Sequence, residues 1–145
     1  MTVRKILQGK GTDNIITAKP DDSVESVAAL LAENRIGAVI VSISGENVDG
    51  ILSERDIVRA LGTHGVSCMQ QEARELMTAK VESCGIDDTS MSVMERMTQG
   101  RFRHMPVVED GKLIGVISIG DAVKARISEI QNENQALTGM IANTW

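Results

Sequence analysis

The feature that most restricts this chain is that it is written twice. Asp21-Asp22-Ser23 returns as Asp87-Asp88-Thr89, 66 residues later. At the same spacing Val27 meets Val93, Leu31 meets Met97, Arg35 meets Arg101 and Val41 meets Val107. Further on, Gly50-Ile51-Leu52-Ser53 with Asp56 meets Gly115-Val116-Ile117-Ser118 with Asp121, now 65 residues apart. The one-residue change falls between Ser42 and Asn47, where a hairpin loop absorbs it. Upstream, Arg4-Lys5-Ile6-Leu7 is similar to Arg74-Glu75-Leu76-Met77. Self-similarity at a fixed period means one supersecondary unit used twice. A unit of that length is marginal alone, so the two are expected to share a core. The boundaries read as residues 1–72 for the first repeat, its N-terminal segment and a linker, and 73–145 for the second repeat and a C-terminal helix.

Each unit reads as strand, helix, strand, strand, helix, an α/β (α+β) pattern of βαββα type. Ile15-Ile16-Thr17 and Val81-Glu82-Ser83 are the short first strands. Asp22-Ser23-Val24-Glu25 has the spacing of a helix N-cap followed by an acid. Val24, Val27, Ala28 and Leu31 then share one helical face, as do Ser90, Val93, Met94 and Met97. Asn34 and Gly100 are the residues expected to end those helices in a left-handed conformation. Ala38 to Ile43 is β-branched and reads as a buried strand. Met105 to Val108 and Leu113 to Ile117 flank Asp110-Gly111, a hairpin with a two-residue turn. Ser53 and Ser118 open the second helices, and the last helix is expected to run past Ile130 into a polar, solvated or partner-facing extension. Gly62 to Glu72 is expected to be a loop or short linker.

Composition narrows the function. A net charge of −5 and a pI near 5.0 argue against holding a nucleic-acid backbone by bulk charge. One Phe, one Trp and no Tyr leave no stacking platform for single strands. Apolar runs are short and the N-terminus lacks a signal-peptide pattern, so a cytoplasmic, soluble protein is expected. Cys68 and Cys84 have neither metal-ligand nor redox-motif spacing and read as small buried hydrophobes. No metal is required by any motif. A Ser118/His104/Asp121 triad can be written, but no Gly-x-Ser-x-Gly elbow supports it, and no catalytic role is expected.

The repeated Ser-x-x-Asp admits two readings. As a capping box, the Ser hydroxyl and the Asp carboxylate satisfy two otherwise unpaired backbone donors. As a ligand site, the same helix N-terminus holds an anion and the carboxylate holds a ribose diol. Arg55 in the first copy, and Arg101, Arg103 and His104 in the second, are either a solvated turn or contacts for phosphate.

The ordered set of Asp-Asp-Ser/Thr before a helix, Arg101-Phe102-Arg103-His104-Met105-Pro106-Val107-Val108, and Gly115-Val116-Ile117-Ser118 with Asp121, all in duplicate, resembles tandem cystathionine β-synthase (CBS) domains. The resemblance covers about residues 3 to 127 and is to a stand-alone bacterial CBS pair, or Bateman module. It implies two βαββα repeats packed pseudo-symmetrically, dimerisation through the modules into a disc, possible tetramers, and no catalysis. It also implies clefts for adenosine ligands: AMP first, with ADP, ATP, NAD(H) and S-adenosylmethionine as variants. Ribose falls to Asp121 and Asp56, with Ser118 and Ser53 beside them. Thr17 and Ser83 take the first-strand hydroxyl position. The adenine pocket falls to Ile36, Gly37 and Ala38, and to Arg103, His104, Met105 and Pro106. Ile40 stands where the second copy has Pro106, so the sites are expected to differ, Asp121 marking the better one. With aromatics so scarce, adenine would be read by backbone groups between aliphatic walls such as Ile36, Val39, Met105 and Ile117. The rival function is a dimerising interaction scaffold in which the long last helix docks a partner.

Overall fold

The computed structural model describes the backbone of residues 1–10 and 15–144, and side chains as far as residue 140. A leading helix α1 (Val3–Lys10) precedes the first repeat, which runs β1 (Thr17–Ala18), α2 (Val24–Asn34), β2 (Ala38–Val41), β3 (Gly50–Ser53) and α3 (Glu54–His64). A 3-10 turn (Val66–Gln70) and a short α4 (Ala73–Leu76) lead to the second repeat: α5 (Ser90–Gly100), β4 (His104–Glu109), β5 (Lys112–Ser118) and α6 (Ile119–Thr144). Residues 62–72, expected as a loop or short linker, instead carry the end of α3 and the 3-10 turn, and they bury Cys68.

β1 lies parallel to β2 and β2 antiparallel to β3, with Thr17 opposite Ile40 and Ala38 opposite Ser53. β4 and β5 form the expected hairpin. Its turn residues Asp110 and Gly111 have φ of 52° and 78°, both in the left-handed region that such two-residue turns require.

The second copy departs from the first at its opening strand. Val81 to Ser83 form no strand, and a single parallel bridge joins Cys84 to Val107. Cys84 N–H donates to the Pro106 carbonyl at 3.0 Å, and Val108 N–H donates to the Cys84 carbonyl at 2.9 Å. One step back along that ladder the donor would be the nitrogen of Pro106, which carries no hydrogen. Arg96 takes the freed segment instead, donating to the Ser83 carbonyl at 2.5 Å and the Glu82 carboxylate at 2.6 Å. Ile40 occupies the matching place in the first copy, and there the strand forms.

Local chemistry shifts several element ends by one residue. Ser23, not Asp22, caps α2: its hydroxyl accepts from Ser26 N–H at 3.1 Å, while Asp22 accepts from Lys19 N–H. Thr89 and Asp88 repeat this division with Ser92 and Gly85. The left-handed residues ending α2 and α5 are Arg35 (φ 54°) and Arg101 (φ 56°), one place beyond Asn34 and Gly100. Each holds an uncommon conformation for a side chain, at a cost of about 1–2 kcal/mol. Their amides offset part of it by closing on carbonyls of the last helical turn.

Two cores result, and they exchange helices. Val24, Val27, Leu31, Val39, Val41, Leu52 and Ile57 form the first, which also takes Ala73 from α4. Val93, Met97, Met105, Val107, Ile117, Ala122 and Ala125 form the second, which takes Val3 and Ile6 from α1. Close approach of the visiting segments depends on two glycines. A side-chain carbon on Gly115 would lie 2.7 Å from Leu7 Cδ2, and one on Gly50 would lie 2.9 Å from the Thr78 carbonyl.

Candidate functional site

The helix exchange creates a seam. The C-terminal end of α1, which belongs to the second core, lies beside the turn that follows α2 in the first repeat. Between them opens a cleft of about 440 Å³, within the range of small-molecule sites. Lys10, Ile36, Gly37 and Ala38 face His104, Ser118 and Asp121 across it.

Ser118 and Asp121 form a reciprocal cap at the start of α6. Ser118 N–H donates to Asp121 Oδ2 at 2.9 Å, and Asp121 N–H donates to the Ser118 hydroxyl at 3.1 Å. Lys10 Nζ donates to the same Oδ2 at 2.9 Å and to the Val116 carbonyl at 2.9 Å. Burial works against the Asp121 carboxylate, but the Lys10 and Ser118 donors outweigh it and hold its pKa below the ordinary value. The matching Ser53 and Asp56 also form a complete capping box, with Ser53 N–H and its hydroxyl both 2.9 Å from Asp56 Oδ2. Among the described residues, that carboxylate's donors come from Ser53 alone, whereas Asp121 has a cation. Capping is therefore true of both copies, and the cleft belongs to one of them.

His104 opens β4 and lies against Gly37, where an added methyl would sit 3.3 Å from the ring. Burial is the main cause of its lowered pKa; Glu54 and Asp121 act in the opposite sense, and Lys10 and Arg103 reinforce the burial. The imidazole is therefore neutral near pH 7 and carries one donor and one acceptor.

Of the residues singled out from sequence, Ile36, Gly37, Ala38, His104, Ser118 and Asp121 gather in this cleft. The others lie elsewhere. Thr17 is half-buried in β1, while Arg55 on α3 and Ser83 are exposed. Arg101 and Arg103 are also exposed, and the Arg103 carbonyl caps Ile119 N–H at 2.8 Å, as Gly37 caps Glu54 at 2.9 Å. Met105 is wholly buried in the second core and Pro106 is buried beside it. Val39 and Ile117 are likewise core residues, so the aliphatic wall comes from Leu7, Ile15, Ile16, Ile36, Ile114 and Val116 instead. Of the two aromatic residues, Phe102 packs against the second core and Trp145 lies outside the described residues.

Lys10 also lines the cleft, from outside the repeated motifs. Its signal was in the sequence: at the spacing that relates Arg4 to Arg74, Lys10 matches Lys80. Among the described residues no three His, Cys, Asp or Glu side chains gather as a metal site, and no helix is long and apolar enough to cross a membrane.

Residues 3–63 and 73–128 both match the family model of the CBS domain. The chain belongs to the CBS-domain family. Its fold is similar to that of the CBS-domain protein ATU1752 from Agrobacterium tumefaciens, with a TM-score of 0.83 and 43% identity, over 87% of this chain and 99% of that one. It is 30% identical to the CBS domain-containing protein CBSX3, mitochondrial, of Arabidopsis thaliana, over 97% of this chain and 71% of the relative. The CBS domain protein PAE2072 from Pyrobaculum aerophilum, solved in complex with AMP, shares the fold at a TM-score of 0.73 and 24% identity, over 83% and 89% of the two chains. The match in two segments makes each repeat a CBS domain, and the chain a CBS pair with a C-terminal helix.

Proposed function

We propose that this CBS pair is a non-catalytic regulatory module that binds an adenine nucleotide, AMP above all, in the cleft beside Asp121. One observation carries the reading. A carboxylate, a helix N-terminus and a lysine ammonium converge on a cleft with aliphatic walls. That set suits a ribose diol, a phosphate and a purine in turn. The ribose hydroxyls donate to Asp121 and displace Lys10, whose ammonium turns to the phosphate. Backbone groups of Ile36 to Ala38 read the adenine edge, with His104 packed beside them. ADP, ATP and NAD(H) share these elements and extend from the phosphate end. The AMP complex of PAE2072 supports the ligand class through the shared fold. A cytoplasmic location fits the two free, buried thiols.

Because the ligand touches both repeats, it changes their relative arrangement to the extent that it binds two arrangements unequally. That difference is what a partner protein reads.

Calorimetry with AMP tests the site. Asp121→Ala loses charge-assisted hydrogen bonds, about 1.5–3 kcal/mol, so affinity falls roughly ten- to a hundredfold. Unchanged affinity refutes the assignment. The scaffold reading draws on the fact that both Ser/Asp pairs are complete caps without any ligand. A thermal-shift panel of adenosine compounds separates the two. A ligand at 100 times its Kd stabilises the fold by about 2.7 kcal/mol, and a panel without any shift favours the scaffold.

A further inference from the structure

Helix α6 has two apolar faces, and the globule uses one. Ala122 and Ala125 are buried in the second core. Val123, Ile127, Ile130 and Leu137 point away from it, with relative exposures of 37%, 42% or more for the other three. From Gln131 to Met140 every residue is exposed, so the helix leaves the globule. At 1.5 Å per residue the part beyond Ile130 extends about 20 Å. A projecting helix of that length is marginal in water without a packing partner.

The outward residues carry a heptad. Val123, Ile127, Ile130, Asn134, Leu137 and, in sequence, Ile141 are spaced alternately by four and three. This is the 3.5-residue period of a helix that supercoils around another helix. Ile127, Asn134 and Ile141 take the a positions, and Val123, Ile130 and Leu137 the d positions. Asn134 names the occupant. An amide in an apolar seam needs a partner of its own kind, and in a parallel pair with another copy it meets itself. An antiparallel helix would set it against Ile130 or Leu137 and leave it unpaired. The flanks agree with this. A parallel pair puts Arg126 opposite Gln131 and Glu133 opposite Thr138, so no like charges meet.

We infer that α6 is a parallel two-stranded coiled-coil seam joining two copies of this chain, in register at Asn134. The inference is independent of the nucleotide site.

Site-directed crosslinking of the full chain tests it. Leu137→Cys puts a thiol in the seam, and Gln135→Cys puts one on the opposite side of the helix. The native thiols are buried and contribute no background. On mild oxidation L137C is expected to run as a covalent dimer, at least tenfold more than Q135C. Adding Ile130→Glu to L137C is expected to reduce the crosslink at least tenfold, with the thermal unfolding midpoint of the globule unchanged. A monomeric L137C overturns the seam, as does equal crosslinking at both positions or a crosslink that survives I130E. Because the readout is helix register, it holds whether or not the modules also associate through other faces.

Discussion

Replacing Lys10 with Met keeps the side chain's length and apolar stem and deletes its charge. Lys10 and Asp121 are 33% and 25% exposed, so their 2.9 Å pair is neither fully screened nor fully buried. Exposed pairs contribute about 0.2–1 kcal/mol and charge-assisted hydrogen bonds about 1.5–3 kcal/mol. Discounted for solvent, the pair is worth about 1 kcal/mol. With a urea slope of about 2 kcal/mol per molar, the unfolding midpoint falls by about 0.5 M at pH 7. The pH dependence supplies a sharper check. The Asp121 carboxylate has a folded pKa below its unfolded one. Its contribution is therefore fully present above the unfolded value, about 3.9, and is lost as pH falls through the folded value. Lys10 is one cause of that depression, so wild type and Lys10→Met are expected to differ by a constant amount at neutral pH, and the gap is expected to narrow below about pH 4. What persists there is the hydrogen bond to the Val116 carbonyl, which does not titrate. Urea titrations of both proteins at several pH values make the measurement. A gap that is absent at pH 7, or that stays the same below the folded pKa, refutes the account of Lys10 as a group that lowers the Asp121 pKa.

Two further outcomes follow from packing. Gly50→Ala drives a methyl to 2.9 Å from the Thr78 carbonyl, a backbone atom held by the Ile51–Thr78 pairing. Overpacking of that kind costs about 1–3 kcal/mol, so the thermal midpoint is expected to fall by several degrees by calorimetry. Cys84 is 4% exposed and its pKa is pushed up to about 11, first by burial, then by Asp88, with Arg96 opposing. A thiol reagent at pH 8 is expected to leave Cys84 unmodified in the folded protein and to label it at once in denaturant, as read by intact mass.

The sequence made the duplicated architecture legible because period and turn chemistry are local. Helix faces at Val24–Leu31 and Val93–Met97, the Asp110-Gly111 turn, and the caps at Ser53 and Ser118 each need only neighbours in the chain. Of the cleft residues, Ser118 and Asp121 were likewise visible as matched positions in two copies, whereas Ile36, Gly37, Ala38 and His104 came from the family resemblance. The missed features depend on partners distant in sequence. The first strand of the second copy fails because Pro106, some two dozen residues on, has no hydrogen to give. α1 precedes the first repeat in the chain but is buried with the second, which no periodicity within eight residues can announce. Lys10 acquires its role through that long-range placement, 111 residues from Asp121.

The exchange of α1 and α4 also bears on how such a chain can be inherited. A cut at the sequence boundary, just before Ala73, would leave the first half without the Ala73 that seals its core and the second half without Val3 and Ile6. Recombination can therefore move the pair as one cassette but not a single half. The smallest heritable unit is larger than the sequence repeat that reveals it.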